Sequence, residues 1–313
     1  MQDALISWRP EAIANFGAMP LQLDHTLHGS PLFSDAALAR LIERSSRENY
    51  YVNTMDVTAH DVKSRREGVF VDISGRDVLE AVRKGQIWIL IQNPNQVDPA
   101  FGELLEQIYR EMSDTVPGFQ PFRKKMTVLI SSPNIQVYYH CDIPGQSLWQ
   151  VRGNKTVYVY PNRAPYLEQP ALERIVLGEA HEISLRYDPA FDKDATVFDL
   201  HPGQMLHWPL NAPHRIVNAD CLNVSFTTEH FTDDIRRQYY VNYANGILRN
   251  RFGRSNLSRR TDGPAYWSKL MLSAAYKLSG AKKKRSQVFK VDFAVDPDAP
   301  RGVRSIPAYE FRK

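Results

Sequence analysis

The residue types best suited to chemistry in this 313-residue chain are His140, Asp142 and His214, with Lys155 close by. They stand in the strings QVYYHCDIPG, QVRGNKTVYVYP and WPLNAPHRIVN. Two imidazoles and one carboxylate can hold one face of an iron(II) ion and leave the opposite positions open for a co-substrate and oxygen. Residues two apart on a β-strand project to the same face. If QVYYHCD is a strand, His140 and Asp142 therefore point together while Cys141 points away. A His-x-Asp pair means little by itself among nine histidines, and a lone histidine is more often structural than a ligand. His214 strengthens the pattern, because Gly203 opens a strand-like run and Pro209 and Pro213 frame a turn just before it. His207 and His201 compete for the third position. His207 falls in the apolar run MLHWP, where a packing residue is expected, so His214 is preferred. Lys155, thirteen residues after Asp142, lies in the aromatic and β-branched run KTVYVY. Burying it without a counter-charge would be costly. It is either a surface lysine or the partner of an anion, and its place suits the far carboxylate of 2-oxoglutarate.

These side chains need a rigid support, and the chain's texture predicts one. KKMTVLISS, IQVYYHCD, SLWQV, KTVYVY, HEISLRY and CLNVSFTTEHF are short segments rich in Val, Ile, Tyr and Thr. Turn signals at 132–134, 144–145, 153–154 and 202–203 separate them. Many short strands at close spacing predict a double-sheet jelly roll. Ahead of it, PLQLDHTL reads as a strand and SDAALARLIERSS as a helix capped by Ser34. RDVLEAVRKG reads as a helix stopped by Gly85, QIWILIQN as a buried strand, and 98–112 as a third helix. Behind the core, DDIRRQYYVNYANGILRNRFG and GPAYWSKLMLSAAYKLSG read as helices. The expected fold is mainly β with helical flanks: N-terminal α/β elements over 1–120, a core over 121–232 and a basic helical region over 233–313.

The run YYHCDIPGQSLWQVRGNKTVYVYP resembles the cupin-like Jumonji (JmjC) family of oxygenases. The shared pattern is His-x-Asp, then Gln-x-x-Gly-x-Lys, then an apolar strand ending in Pro, here His140, Asp142, Gln150, Gly153, Lys155 and Pro161. HPGQMLHWPLNAPHRIVN resembles the family's glycine-led strand, proline turn and distal histidine. The resemblance implies a double-stranded β-helix, Fe(II), and hydroxylation or demethylation coupled to decarboxylation of 2-oxoglutarate. It implies metal ligation by His140, Asp142 and His214 and co-substrate binding by Lys155. Gln146 stands where relatives carry Asn, and Thr127 or Thr227 could supply further co-substrate contacts. A core threonine is the simpler view of both.

Hydrophobic content of 43% and charged content of 24% are those of an ordinary globular chain. The two cysteines, Cys141 and Cys221, cannot build a disulfide framework, which points to a reducing compartment. With no secretory signal and no run long enough to span a membrane, a cytoplasmic location is expected. The net charge of +4 is unevenly spread: residues 236–290 hold fourteen Lys or Arg and one acid, Asp262. That segment is either a solvated or subunit-facing surface or a site for an anionic partner. In PAYWSKLMLSAAYKLSG, Trp267, Leu270, Met271, Ala274 and Leu278 share a stripe, with Lys269 and Lys277 off it and AKKKR following. Packing in the core or in a homodimer through C-terminal helices, as in related oxygenases, outweighs a membrane-surface role. Function is thus read as an oxygenase acting on a protein side chain or a small metabolite. Alternatives are a non-oxidative metal-binding cupin, which has no use for Lys155, and a nucleic-acid-associated protein acting through 236–290.

Overall fold

The computed structural model describes residues 4–55, 57, 62–279 and 288–313. Among the described residues the strands are β1 (Leu21–Asp24), β2 (Tyr50–Thr54), β3 (Arg66–Val69), β4 (Trp88–Gln92), β5 (Phe122–Ser131), β6 (Gln136–His140), β7 (Gly145–Arg152), β8 (Lys155–Val159), β9 (Thr196–Leu200), β10 (Gln204–His207), β11 (His214–Asn218), β12 (Asn223–Phe231), β13 (Val288–Val295) and β14 (Val303–Arg312). The α-helices are α1 (Pro10–Ala14), α2 (Asp35–Arg44), α3 (Gly75–Lys84), α4 (Ala100–Thr115), α5 (Gln169–Val176), α6 (Asp233–Phe252) and α7 (Gly263–Leu278). Ten strands pair in the order β1-β10-β7-β12-β5-β4-β2-β3-β13-β14, and four in the order β6-β11-β8-β9. The chain is mainly β with helical flanks, as its sequence predicts. No helix among the described residues is long and apolar enough to cross a membrane.

The larger sheet separates two cores. Its strands alternate, so Val52, Ile89, Ile91, Val128 and Ile130 face one way and join a cluster with Leu38, Leu41, Val78, Leu79 and Ile108 of α2 to α4. Each such residue, fully buried, contributes roughly 1.5–3 kcal/mol. Those helices start where expected: the Ser34 hydroxyl accepts from the Ala37 amide and the Ser74 hydroxyl from that of Asp77, and α3 stops at Gly85. On the opposite face Leu148 and Leu206 meet Val157, Val159 and Ile216 of the smaller sheet. The site lies between the sheets on this second side.

Four expectations need correction. QIWILIQN is not buried on both faces: Ile89 and Ile91 enter the helix-side core, while Trp88, Leu90 and Gln92 face a cavity. HEISLRY is not a strand, because Glu182–Ser184 forms a 3-10 turn capped by the His181 ring. The partner of β8 is instead β9, from the unremarked TVFDL. The C-terminal region is not only helical, since β13 and β14 pair with each other and β13 runs parallel to β3. Finally, the apolar stripe of α7 does not face the core. Tyr266, Lys269 and Ser273 are its buried residues, whereas Trp267 is 57%, Met271 66% and Leu278 87% exposed. The buried Lys269 ammonium is satisfied by the Ser258 carbonyl, which lets a charged face pack inward. The AKKKR run lies outside the described residues.

The tight β7–β8 turn sets the start of the Lys155 strand. Gly153 adopts φ +72°, and an added Cβ would lie 2.2 Å from the Leu222 carbonyl oxygen. Gly153→Ala is expected to cost about 1–3 kcal/mol, from backbone strain and this clash. Urea denaturation of the two proteins checks it; equal midpoints would show that the turn relaxes freely.

Candidate metal centre

Strand pairing assembles the cluster. β6 ends at His140, β11 begins at His214, and in the antiparallel β6–β11 ladder these two residues are direct partners. Asp142 is not on the strand as expected; it follows in the bend before β7, while Cys141 turns into the buried interior. The imidazole centroids are 4.2 Å apart. His140 Nε2 lies 4.0 Å from Asp142 Oδ1, and His214 Nε2 lies 3.5 Å from Asp142 Oδ2. One ligand atom from each of the three falls within 4.8 Å of the others, the one such grouping among the described residues.

The surroundings prepare both rings as ligands. His140 Nδ1 is 2.7 Å from the Tyr138 carbonyl oxygen and His214 Nδ1 is 3.1 Å from that of Ala212. A carbonyl only accepts, so each Nδ1 carries the proton and each Nε2 presents a lone pair. Burial pushes both imidazoles below their ordinary range, which keeps them neutral. Burial, and then the charge of Glu229, pushes the Asp142 carboxyl up; a bound cation would reverse this. With the Gln146 amide turned so that its nitrogen faces Asp142, it donates to both carboxylate oxygens at 3.0 and 3.2 Å. Gln146 thus braces the carboxylate. The Asn211 amide fixes the backbone there, donating to the Asp142 carbonyl at 2.6 Å.

A cavity of about 950 Å³ opens onto the cluster. Thr127 and Thr227 are cross-strand partners on β5 and β12 and both line it, as does Gln146. Lys155 stands behind this wall. It is only 5% exposed, and its ammonium crosses from the smaller sheet to the larger to donate to Ser225 Oγ at 2.9 Å, two residues along β12 from Thr227. No ion pair among the described residues includes Lys155, and burial brings its pKa down to about 7. A buried amine lacking an acid partner suits an incoming anion better than a surface role. His207 lies elsewhere, stacked on Phe16 at 4.0 Å and bonded to Ser147, and His201 is exposed.

Sequence reading missed the rest of the cavity wall. Tyr51, Arg65, Trp88, Gln92, Glu182, Glu229 and Phe289 come from β2, β4, β12, β13 and the segments around 65 and 182. No motif joins them: Tyr51, Trp88, Gln92 and Phe289 arrive by the edge-on addition of β4, β2, β3 and β13 to the core strands, Glu229 on β12 and Glu182 on a 3-10 turn. Burial, and next the charge of Asp142, pushes Glu182 up to about 7, and burial also raises Glu229.

No protein-family model and no curated protein sequence matches the chain. Solved structures do match. The X-ray structure of E. coli ycfD aligns with a TM-score of 0.51 at 16% identity, over 91% of this chain and 70% of that one. This chain has the YcfD fold. The structure of YcfD, a ribosomal oxygenase from Escherichia coli, in complex with cobalt and 2-oxoglutarate aligns with a TM-score of 0.50, also at 16% identity, over 90% and 69% of the two chains. At this identity the likeness to YcfD is one of fold.

Proposed function

We propose that this chain is an Fe(II)- and 2-oxoglutarate-dependent oxygenase that hydroxylates a protein side chain or a small metabolite. The carrying observation is the cross-strand cluster of His140, Asp142 and His214, with both Nε2 atoms free beside a carboxylate. This donor set fits a ferrous ion that keeps open positions. The fold shared with YcfD, whose complex holds cobalt and 2-oxoglutarate, supports the same reading. We read the two facing sheets as the double-stranded β-helix, within the three-part organisation 1–120, 121–232 and 233–313.

His140, Asp142 and His214 hold the metal, and Gln146 keeps the carboxylate oriented. Bound Fe(II) supplies oxygen activation coupled to loss of CO2 from 2-oxoglutarate, with one oxygen atom ending in succinate and the other in the product. The Lys155 ammonium pairs with the distal carboxylate of the diacid, and Thr127 and Thr227 offer hydroxyls nearby. Leu148, Trp208 and Ile216 keep the wall dry. Anaerobic protein given Fe(II) and 2-oxoglutarate is expected to release succinate when oxygen is admitted; a non-oxidative cupin would not.

Lys155 also sets a pH dependence. Its ammonium form, which the diacid needs, is lost as pH rises through about 7. The protonated fraction falls from about one half to one tenth between pH 7 and 8, so affinity for 2-oxoglutarate is expected to fall about five-fold. His140 and His214 are already neutral in this range and loss of a proton from Asp142 favours the metal, so metal occupancy does not account for the fall; Glu182, pushed up to about 7, titrates in the same window, and Glu182→Gln separates its part. Calorimetry with Mn(II)-loaded protein at pH 6.5 to 9 reads it, and constant affinity would remove Lys155 from the site.

The outward stripe Trp267, Met271 and Leu278 supports a homodimer through α7. The fourteen Arg and Lys in 236–290 support an anionic partner. We also propose a cytoplasmic location.

A further inference from the structure

A second, smaller cavity of about 180 Å³ opens where the β8–α5 loop, the β10–β11 loop, α6 and the α6–α7 connection meet. Asn211 lines it and also donates its amide to the Asp142 carbonyl, but none of the three metal ligands reaches this pocket. Two cations meet there from distant parts of the chain, Arg163 and Arg259. Neither guanidinium makes a hydrogen bond or ion pair among the described residues. Other arginines of the same region are spent on acids: Arg249 on Glu173, Arg251 on Glu179 and Arg260 on Asp262.

The backbone under both free guanidiniums is nonetheless fixed. Asn245 and Lys269, both buried, donate to the Ser258 carbonyl immediately before Arg259. Beside Arg163, the Asn162 amide donates to the Leu210 carbonyl at 2.9 Å, and the Arg163 carbonyl accepts from the Leu167 amide. Buried polar groups thus hold an irregular segment so that its arginine meets the other at one pocket. Glu168 is the one acid among the lining residues, and it pairs with neither arginine. Two positive charges against one, beside a segment with fourteen cations and a single acid, favour a dianion over a carboxylate or a zwitterion. Guanidinium forks match phosphate oxygens bidentately, and a carboxylate accepts from a hydroxyl on the same ligand.

We propose that this pocket binds the phosphate of a small phosphomonoester, between Arg163 and Arg259, with a ligand hydroxyl on Glu168. Its volume suits one phosphate and a few neighbouring atoms rather than a length of polyanion. The site stands apart from the oxygenase reading and does not depend on it.

Ribose 5-phosphate is the probe, titrated calorimetrically into the full chain with Mn(II) and 2-oxoglutarate present, against ribose, leucine and single-stranded oligouridylate. It is expected to bind once per chain, about ten-fold or more tightly than ribose or leucine. Arg163→Gln and Arg259→Gln each weaken it about ten-fold, since each removes a charge-assisted contact. Gln238→Trp, which fills the pocket from α6 and keeps both arginines, abolishes binding. Arg254→Gln, at an equally exposed arginine outside the pocket, changes nothing, and Asp142→Ala, which loses the metal, keeps the affinity. These exposed positions tolerate substitution, and thermal melts show that each variant is folded. Binding that survives Gln238→Trp, falls equally in Arg254→Gln or vanishes in Asp142→Ala overturns the proposal. So does leucine binding as tightly as ribose 5-phosphate, or oligouridylate binding that ignores Gln238→Trp and outcompetes it.

Discussion

Asp142→Ala should abolish high-affinity binding of Fe(II) or Mn(II), weakening it by more than about 100-fold. The geometry explains why so small a change has so large an effect. His140 and His214 are paired across β6 and β11 and stay in place without the carboxylate. They then offer only two neutral nitrogens to a dication in a buried site, and the one negative charge that offsets its desolvation is gone. Losing a group that merely orients a ligand typically costs 10–100-fold, so losing the ligand should cost more. Gln146→Leu supplies that milder comparison, because it removes two donors to the Asp142 oxygens and leaves all three ligands. Asp142→Ala should keep its fold, since Asp142 lies outside the sheet ladders, and Gln146→Leu changes a side chain on β7 without touching its backbone pairing. Metal affinity is read by competition with a chromophoric chelator. If Asp142→Ala binds as the parent does, the cluster is not the metal site.

Lys155→Met is the second large effect, and its sign differs between two measurements. Truncating one side of a buried ionic contact costs about 2–5 kcal/mol, so affinity for 2-oxoglutarate should drop at least about 30-fold. Metal binding should change little, because Lys155 belongs to β8 and reaches Ser225, away from the three ligands. Stability without co-substrate should rise. The parent buries an amine whose one hydrogen-bond acceptor among the described residues is a hydroxyl, and a thioether of similar length removes that penalty while filling the space. A site kept at the expense of stability is the signature of function. Thermal melts of apo protein and calorimetry of the Mn(II)-loaded form give the two halves. A lower melting temperature together with unchanged 2-oxoglutarate affinity would make Lys155 a structural residue.

The cluster of His140, Asp142 and His214 was legible in sequence for local reasons, and the rest of the cavity wall was not. His140 and Asp142 are two residues apart, and the Pro-framed approach to His214 marks the start of a strand, so spacing and turn chemistry expose all three. The same logic misjudged how Asp142 is held: β6 stops at His140, and a bend braced by Gln146 and Asn211 does the rest. HEISLRY has the β-branched and aromatic texture of a strand, but its Glu182–Ser184 part closes into a 3-10 turn and β9 takes the place beside β8. Tertiary pairing overrode local preference there. In α7 the apolar stripe is legible but the choice between core and subunit packing is not, since periodicity locates a face without saying what it meets. Tyr51, Glu182, Glu229 and Phe289 carry no mutual spacing at all. Strands from both ends of the chain extend one sheet and bring Tyr51 and Phe289 to the cavity of Glu229 on β12 and Glu182 on its 3-10 turn, which a pattern along the sequence cannot show.

Everything turns on whether one ferrous ion and one diacid meet at His140, Asp142 and His214. Anaerobic titration of the protein with 2-oxoglutarate, with and without one equivalent of Fe(II), is the most direct measurement, followed by admission of oxygen and assay of succinate. Binding that requires the metal, saturates at one diacid per chain, yields succinate and vanishes in His214→Ala is the expected result. Metal-independent binding, or succinate production that survives His214→Ala, would contradict it.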